Sequence, residues 1–438
     1  MAINEKLPIY AVELDNKSIP LDLTIPSDDE LYVCRVVDYD GTVLKEEKHV
    51  SGDIFILPEI PHHDGLIAQG YSSPVDIVDG KVVVEDSDLI FGPMYTTASG
   101  LTEFDIELNK VTGLLVTLHM NGTKNWGDGS SDTATTHTYA NYGKYTITCD
   151  GDEMQSDMNL GLFENSFMED IYNTYCTEVR IGQNLTVIKA CAFAYCEALE
   201  AISLPNTLLD IKGVVFYEVP LRALIVPTSI TKDTDYTSNC RALRNVVIPN
   251  SVVTGFSYPD ASGLDVMVVP KGVVKCSIFT SNGFSSITKI VLPDSCVSGT
   301  LRFMNSAALR KVVLPKNYNG VMTSLFRYCS SLISFNFPEG ITKIAASMFE
   351  GCWSLSYFKI PSTVTEIKES AFAGEECPRT YDFSELPVIP TLANTNAFNY
   401  MSATSKIIVP DALYDEWKAA TNWSTYANYI YKASEVDL

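Results

Sequence analysis

Cysteine is the residue type of this chain that could ligate a metal, and the spacing of the cysteines indicates whether such a site can form. Four of the eleven cysteines stand nine residues before a proline: Cys196, Cys240, Cys329 and Cys352. Thiolates can ligate zinc, but zinc sites typically draw their ligands from CxxC or CxxH pairs, and neither pair occurs in this sequence. Because free cysteine is among the most buried residue types, we expect these thiols to pack inside turns of the fold.

Histidines and carboxylates form no catalytic pattern either. His62 and His63 are adjacent but have no acidic or cysteine cluster at ligand spacing. Asp128 and Asp132 could bind calcium, although hydrogen bonds that stabilise a turn are the favoured interpretation. The sequence has no GxSxG, HExxH, P-loop or dinucleotide-binding glycine motif. We therefore predict a chain that is not an enzyme and holds no cofactor and no metal.

The charge balance restricts the partners. The 438 residues include 31 Lys and Arg against 54 Asp and Glu, a formal net charge of -23. Such a chain repels phosphate backbones, so nucleic-acid binding is not expected. Residues 1–8 lack a basic region followed by an apolar run, and no stretch of about twenty apolar residues occurs. We expect no secretory signal, no membrane insertion and no obligatory disulfides.

A proline recurs along the second half of the chain at intervals of 21 to 23 residues. The prolines are Pro205, Pro227, Pro249, Pro270, Pro293, Pro315, Pro338 and Pro361. Two alternating apolar residues precede most of them, which indicates a short strand with one buried face that ends at the proline. Each unit has too few apolar residues to enclose a core alone. A fixed period of this size predicts a solenoid of stacked coils.

Other positions of the unit repeat as well. An apolar residue follows the proline after three positions, as at Leu208 and Val364, and several units have phenylalanine after eleven, as at Phe326 and Phe349. The pattern Leu-x-x-Ile-x-Leu-Pro-x-x-Val-x-x-Ile, then Ala-Phe-x-x-Cys, resembles the BspA-type leucine-rich repeat over about residues 175–380. Between about 227 and 315 the Ala-Phe step is missing, so we expect less regular middle coils.

Residues 101–152 have the pattern of a hairpin-rich β module. The string Trp126-Gly127-Asp128-Gly129 forms a turn signal, and His137-Thr138-Tyr139 begins a strand further on. These two strings resemble the polycystic-kidney-disease (PKD) type β-sandwich.

Residues 31–100 form a further predicted β module. An alternating strand leads into a Tyr39-Asp40-Gly41-Thr42 turn, and Gly70-Tyr71 stands near the end. The segment resembles the internalin B-repeat, a small β-grasp-like module whose usual glycine-tryptophan is here glycine-tyrosine.

The two ends complete the organisation. Residues 1–30 match nothing and are the candidate anchoring segment. Residues 406–438 are predicted to cap the solenoid, with Asp411 as N-cap of a helix over 412–420 and aromatic residues after it. The predicted fold is mainly β. Its parts are an anchoring segment (1–30), a β-grasp-like module (31–100), a PKD-like β-sandwich (101–152), a leucine-rich-repeat solenoid (153–405) and a cap (406–438).

These modules predict a non-enzymatic protein that presents a surface for adhesion. The resemblance together with the expected lack of a signal favours a bacteriophage virion protein, at a tail tip or fibre or as capsid decoration. Its N-terminal region would contact other virion proteins, and its solenoid a host-surface protein or glycan. A bacterial cell-surface adhesin of the BspA-like type is the alternative. A homo-oligomer is possible, although no coiled-coil heptad supports one.

The candidate binding residues come from the irregular middle coils, because consensus residues are needed for packing. Four aromatic residues are predicted to be exposed there: Tyr236, Phe256, Tyr258 and Phe284. The alternative is that these rings fill local gaps in the core.

Overall fold

The protein is mainly β, as predicted, and its second half is a solenoid of stacked coils. The computed structural model describes residues 31–154, 175–232, 239–253, 256–259, 263–264, 266–279, 283–374 and 377–436. The candidate anchoring segment, residues 1–30, lies outside the described residues.

The first module forms a four-stranded sheet with a small two-stranded ribbon beside it. Its strands are β1 (Tyr32–Val37), β2 (Val43–His49), β3 (Ile54–Ile56), β4 (Leu66–Ser72), β5 (Lys81–Val83) and β6 (Leu89–Thr97). The sheet order is β2-β1-β6-β4, with β1 and β6 parallel and the other neighbours antiparallel. Strand β3 pairs with β5. All nine residues of β6 are buried, which indicates that both faces of this strand are covered.

The second module pairs directly with the solenoid. Its strands are β7 (Thr102–Leu108), β8 (Leu115–Thr117), β9 (Lys124–Asn125), β10 (Ser131–Asp132), β11 (Thr136–Thr138) and β12 (Gly143–Cys149). Strand β7 pairs with β12 on one side and with the first solenoid strand, β13 (Cys176–Arg180), on the other. Its hydrogen-bonding edge is therefore continuous with the first coil, which closes that end of the solenoid.

The glycine-rich turn of this module is held by its two aspartates. Asp128 accepts hydrogen bonds from the Ser130 backbone N–H and hydroxyl and from His137, which hold the pKa of its carboxyl at about 2. Asp132 accepts the indole N–H of the fully buried Trp126 at 3.1 Å. Both carboxylates are thus engaged inside the turn. The likeness to PKD and internalin modules stays a prediction from the sequence.

Each coil of the solenoid contributes to parallel ladders of short strands. The strands after β13 are β14 (Val187–Ile188), β15 (Ala201–Ser203), β16 (Asp210–Ile211), β17 (Ala223–Ile225), β18 (Asn245–Val247), β19 (Phe256–Pro259), β20 (Lys275–Phe279), β21 (Lys289–Val291), β22 (Ser298–Arg302), β23 (Lys311–Val313), β24 (Ser334–Phe335), β25 (Lys343–Ile344), β26 (Tyr357–Lys359), β27 (Glu366–Ile367), β28 (Thr380–Asp382) and β29 (Thr391–Leu392). The first ladder precedes the repeat prolines and includes β15, β17, β18, β21, β23 and β26. A second ladder follows the prolines, as in β25-β27-β29.

The repeat prolines explain the spacing between the two ladders. Proline has no N–H to continue the ladder, so the strand stops there. Its carbonyl accepts the backbone N–H of the residue three positions later, at 3.2 Å from Leu208 to Pro205 and at 3.0 Å from Val364 to Pro361. The resulting turn places this third residue in the core, where both side chains are fully buried. Pro-x-x-apolar is therefore the pattern of one corner of the coil.

Stacked phenylalanines fill the centre of the regular coils. The ring centroids are 6.0 Å apart for Phe303 and Phe326, 5.7 Å for Phe326 and Phe349, and 5.6 Å for Phe349 and Phe372. The stack continues to Phe398 at 5.1 Å. Because each ring is covered by the rings of the neighbouring coils, one coil could not bury its own phenylalanine.

The repeated cysteines pack in the turns, as expected, and their thiols join one coil to the coil before it. The Cys329 thiol donates to the carbonyl of Phe303 at 3.0 Å, and the Cys352 thiol donates to that of Phe326 at 3.1 Å. Burial raises the pKa of Cys352 to about 12 and that of Cys329 well above its ordinary value. Both groups therefore stay protonated and act as donors at neutral pH.

A short cap closes the C-terminal end. It consists of β30 (Lys406–Val409), a 3-10 turn (Asp411–Leu413), α1 (Tyr414–Ala419), a 3-10 helix (Trp423–Tyr429), β31 (Ile430–Lys432) and a final 3-10 turn (Ala433–Glu435). The buried rings of Trp417 and Trp423 contact Phe383, each with centroids 5.6 Å apart. The predicted N-cap was wrong: the Asp411 carboxylate makes no capping bond and instead accepts the Ser434 backbone N–H at 3.1 Å. The helix is also shorter than predicted, because a 3-10 turn occupies its first residues.

Replacing Cys352 by alanine tests the thiol bond between coils. We expect Cys352→Ala to lower stability by about 1–3 kcal/mol, because the buried Phe326 carbonyl loses its thiol donor. The measurement is thermal unfolding followed by circular dichroism. Cys377→Ala, at a half-buried cysteine, is the matched control. Equal melting temperatures for the two variants would contradict a role of the thiol bond.

Candidate functional site

The four aromatic residues predicted to bind a ligand do not form a site among the described residues. Phe284 is only 1% exposed and belongs to the solenoid core, so the expectation that it is exposed was wrong. Its coil lacks a phenylalanine eleven residues after the proline, and Phe284 occupies the core of this coil instead. Tyr236 lies outside the described residues. Phe256 and Tyr258 belong to β19, of which the structure describes the backbone alone.

The outward-pointing residues of the first ladder form a second candidate surface. In each coil, the first and third residues before the proline point into the core, and the second and fourth point outward. From β15 to the coil of Pro270 the outward residues are uncharged, and all are buried: Ala201, Ser203, Ala223, Ile225, Asn245, Val247, Val266 and Val268. Because these residues point away from the solenoid core and are still buried, another part of the chain must pack against them.

The first module is this cover. Its residues Val37, Tyr39, Ile90, Met94 and Tyr95 share a hydrophobic cluster with the outward apolar residues of the four coils. Gly92 in β6 permits the close approach, because a Cβ at this position would stand only 2.5 Å from the Cδ1 of Ile225. The module therefore lies along the side of the solenoid and does not precede it as a separate body.

Polar bonds set the register of this contact. The Ser72 hydroxyl donates to the carbonyl of Val226 at 2.6 Å, and the Asn250 backbone N–H donates to that of Ser73 at 2.7 Å. The Arg35 guanidinium donates to the Asn245 side-chain oxygen at 2.7 Å, and both residues are buried. Since hydrogen bonds between buried groups are costly to break, the module has one defined position on the solenoid.

Beyond Val268 the outward residues of the ladder are no longer fully buried: they are half-buried at Lys289, Val291 and Lys311 and exposed from Val313 onward, and we call this surface the free face. It consists of the outward residues of four strands: Lys289, Val291, Lys311, Val313, Ser334, Asn336, Tyr357 and Lys359. Val313 is 40% and Tyr357 45% exposed. The face ends where Asp382 and Ile408 are buried again near the cap. With neighbouring strands about 4.8 Å apart, it spans roughly 15–20 Å along the solenoid.

Hydrogen bonds and ring contacts position the side chains of the free face. The Tyr357 hydroxyl donates to Asp382 Oδ2 at 2.8 Å; partial burial, with this carboxylate, raises the pKa of Tyr357 to about 12. The Lys359 ammonium donates to Glu385 at 2.8 Å. The Lys289 ammonium lies 3.7 Å from the ring centroid of Tyr32, at the edge of the module. The face thus presents lysines, valines and a tyrosine in register on rigid strands.

Several grooves lie at the boundary between the module and the solenoid, and two of them share Lys271. One has about 490 Å³ and is lined by Glu85, Asp86, Lys271, Asp294 and the edge of the free face at Val291 and Val313. The other has about 560 Å³ and is lined by Ile54, Val78, Val83 and Asn250. The ion pair of Lys271 with Glu85 contributes to both grooves. The free face is therefore indented at the edge that meets the module.

The described residues contain no group of three or more Cys, His, Asp or Glu side chains arranged to hold a metal ion. Within the same residues, no helix is both long and apolar enough to cross a bilayer.

The sequence contained a signal for the free face that periodicity alone does not use. The outward positions are uncharged in four successive coils and then become Lys289, Lys311 and Lys359. Since a lysine is rarely buried without a partner, this change marks where the cover ends. Neither the solenoid period nor the consensus residues contain this information.

The parallel ladders, the stacked core and the closed ends define a leucine-rich-repeat type of solenoid. A family model confirms the class from the sequence: the BspA type leucine rich repeat region, in six copies, matches residues 166–259 and 256–378. Residues 166–378 are therefore a BspA-type leucine-rich repeat region. A search of curated protein sequences found no match.

Solved structures similar to this chain include three bacterial leucine-rich proteins. A leucine rich cell surface protein from Faecalibacterium prausnitzii is 27% identical, with 44% of this chain and 55% of that one covered and a TM-score of 0.31. Leucine-rich repeat proteins from Bacteroides ovatus (19% identity, 57% and 76% covered, TM-score 0.36) and Eubacterium ventriosum (16%, 52% and 83%, 0.29) are also similar. The match spans about half the length of the Faecalibacterium protein.

A pair of identical substitutions tests the boundary of the free face. Val247 and Val313 occupy the same outward position of their coils, but Val247 is 0% and Val313 is 40% exposed. We expect Val247→Lys to destabilise the protein by about 3–5 kcal/mol, because it buries an unpaired charge under the module. Val313→Lys should change stability by less than about 0.5 kcal/mol. Chemical denaturation measures the free energy of unfolding of both variants. Equal losses of stability would contradict the boundary between the covered part of the ladder and the free face.

Proposed function

We propose that this chain is a non-enzymatic binding protein that attaches to a macromolecule at a cell surface through its free face. This proposal rests on the two halves of the first ladder. The chain's own module covers the outward residues of the first half, whereas those of the second half form the free face, aligned from strand to strand. A surface of this kind suits a large partner, because small ligands are normally bound in concave sites. The BspA-type repeat region supports adhesion as the purpose of the binding.

The partner that fits the free face carries carboxylates or other acidic groups. Lys289, Lys311 and Lys359 provide ammonium groups on one rigid surface, beside the apolar side chains of Val291 and Val313. The formal net charge of -23 opposes such a partner at long range. Within the Debye length of about 8 Å, however, the nearest charges count most, and these are the three lysines together with Glu385, the ion-pair partner of Lys359. Acidic glycoproteins of a host surface have the matching chemistry.

The setting we propose is a bacterial cell surface. The BspA-type repeats of residues 166–378 support this setting, because the interpretation of the chain as a bacterial adhesin rests on the same repeats. The virion is the second setting and rests on the sequence expectations alone. Surface labelling of the producing bacterium followed by mass spectrometry tests the choice. Detection of the chain among the labelled cell-wall proteins supports the adhesin, whereas detection in purified phage particles alone would reverse it.

Charge reversal tests the free face itself, with immobilised mucin as an acidic glycoprotein probe. We expect Lys311→Glu together with Lys359→Glu to weaken binding at least tenfold, because two contacts become repulsive. Lys289 is left intact, since its ammonium packs on Tyr32. The matched control is Lys110→Glu with Lys144→Glu, which changes the net charge equally on the second module.

The control variant should bind within twofold of the unchanged protein. Binding of the unchanged protein should also weaken with added salt, as expected for an electrostatic contact. Equal losses in the two double variants would show that net charge, and not the free face, governs the binding. Absence of any binding to mucin would exclude the acidic glycoprotein as the partner.

A further inference from the structure

A second exposed edge of the solenoid carries aromatic side chains that the core does not use. At the second position after the core phenylalanine, the backbone of many coils is left-handed, with φ between 56° and 74° at Tyr195, Glu218, Asn305, Tyr328, Gly351 and Tyr400. Hydrogen bonds between coils hold this turn, as from the Tyr328 N–H to the carbonyl of Glu350 at 2.7 Å. We call this row of positions the turn edge.

Tyrosine is a costly residue for the turn edge. Glycine and asparagine adopt a left-handed backbone most easily, whereas other residues pay about 1 kcal/mol or more in steric strain. The coil that follows Tyr328 has glycine at the equivalent position, Gly351. The left-handed backbone therefore does not favour tyrosine over glycine here. The Tyr328 side chain is 42% exposed, and tyrosine also stands at this position in two other coils, as Tyr195 and Tyr400.

The Tyr328 ring is held in one place by its neighbours. It fills the space over Gly351, where a Cβ would stand 2.4 Å from the Tyr328 Cδ1. Its hydroxyl donates to Glu350 Oε1 at 3.1 Å, and the Arg327 guanidinium donates to the same oxygen at 3.0 Å. The Arg327 guanidinium carbon lies 4.9 Å from the ring centroid. An exposed ring with fixed charged groups beside it is preorganised for a ligand.

Trp353 stands two residues after Gly351 and is 45% exposed. The residues that follow the other three turn cysteines are polar: Glu197, Arg241 and Ser330. The turn therefore has no packing requirement for tryptophan at this position. The three other tryptophans of the chain, Trp126, Trp417 and Trp423, are at most 1% exposed. Trp353 is thus the one exposed tryptophan, and it stands two residues from the glycine that the Tyr328 ring covers. Exposed aromatic side chains are typical of binding surfaces.

We propose that Tyr328 and Trp353, with Arg327 and Glu350, form a binding site for a neutral saccharide. The C–H face of a pyranose ring stacks on the Trp353 indole, since such a face is apolar and the ring face is electron-rich. Arg327 donates hydrogen bonds to the sugar hydroxyls, and the Glu350 carboxylate accepts from them. The site lies on the turn edge, apart from the free face, and takes an uncharged ligand.

The intrinsic fluorescence of the chain tests this site directly. Since the other three tryptophans are buried, a saccharide that covers Trp353 should change the emission and reduce quenching by acrylamide. The probes are the methyl glycosides of glucose, galactose, mannose and N-acetylglucosamine, each titrated to about tenfold above a millimolar Kd. We expect a saturable change with at least one of them. No saturable change with any of the four would overturn the proposal.

Variants locate the binding by calorimetry with the glycoside that binds. We expect Trp353→Ala and Tyr328→Ala each to weaken the affinity at least tenfold, with melting temperatures close to that of the unchanged protein. Tyr400→Ala is the matched control, because Tyr400 occupies the same turn position and is 72% exposed. Its affinity should stay within twofold of the unchanged protein. A Trp353→Ala variant with full affinity would overturn the assignment.

The free-face variant separates this site from the proposed function. Lys311→Glu with Lys359→Glu should bind the glycoside with unchanged affinity, since the lysines lie on the strand ladder and not on the turn edge. Loss of mucin binding with intact glycoside binding supports both proposals. Loss of glycoside binding in this lysine variant would contradict the saccharide site as assigned.

Discussion

Contact between neighbouring coils is the interaction on which the structure of this protein depends. A coil of about 22 residues buries its phenylalanine and its aliphatic side chains only against the coils before and after it. The backbone pairs in the same direction, through parallel strands at two corners and through the hydrogen-bonded turn edge. Because the contacts that bury the inward residues run along the solenoid axis, the two ends need closure. Strand β7 closes one end by pairing, and the tryptophans of the cap close the other.

The same constraint determines where the protein can bind. The inward residues are buried between neighbouring coils, so a partner contacts the outward positions of the ladders and the turn edge. The chain covers half of the first ladder with its own N-terminal module, through an apolar cluster and buried hydrogen bonds. What remains are the free face, on the strands that follow, and the aromatic pair on the turn edge. Both surfaces are rigid, because the coil that carries them is hydrogen-bonded on either side.

The features of the fold that the sequence predicts are those set by residues close together in the chain. Proline ends a strand and organises the turn after it, so the period, the inward residues and the solenoid class could be read from the spacing. The buried role of the cysteines followed from the absence of paired ligands. The binding residues were harder to predict, because a coil that departs from the consensus does not have to expose its aromatic side chains. Phe284 shows the error: a coil that lacks its usual phenylalanine fills the core with another ring from the same coil.

By itself, the sequence determined the repeat, the direction of its apolar residues, the β character of the N-terminal modules and the acidic charge. These properties depend on residues near one another in the chain. The tertiary structure alone decided that residues 31–100 lie against four coils and that the Tyr328 ring lies over Gly351. Each of these depends on the packing of a side chain against another element or coil. Such packing depends on the shapes of both surfaces, and a periodic pattern describes only one of them.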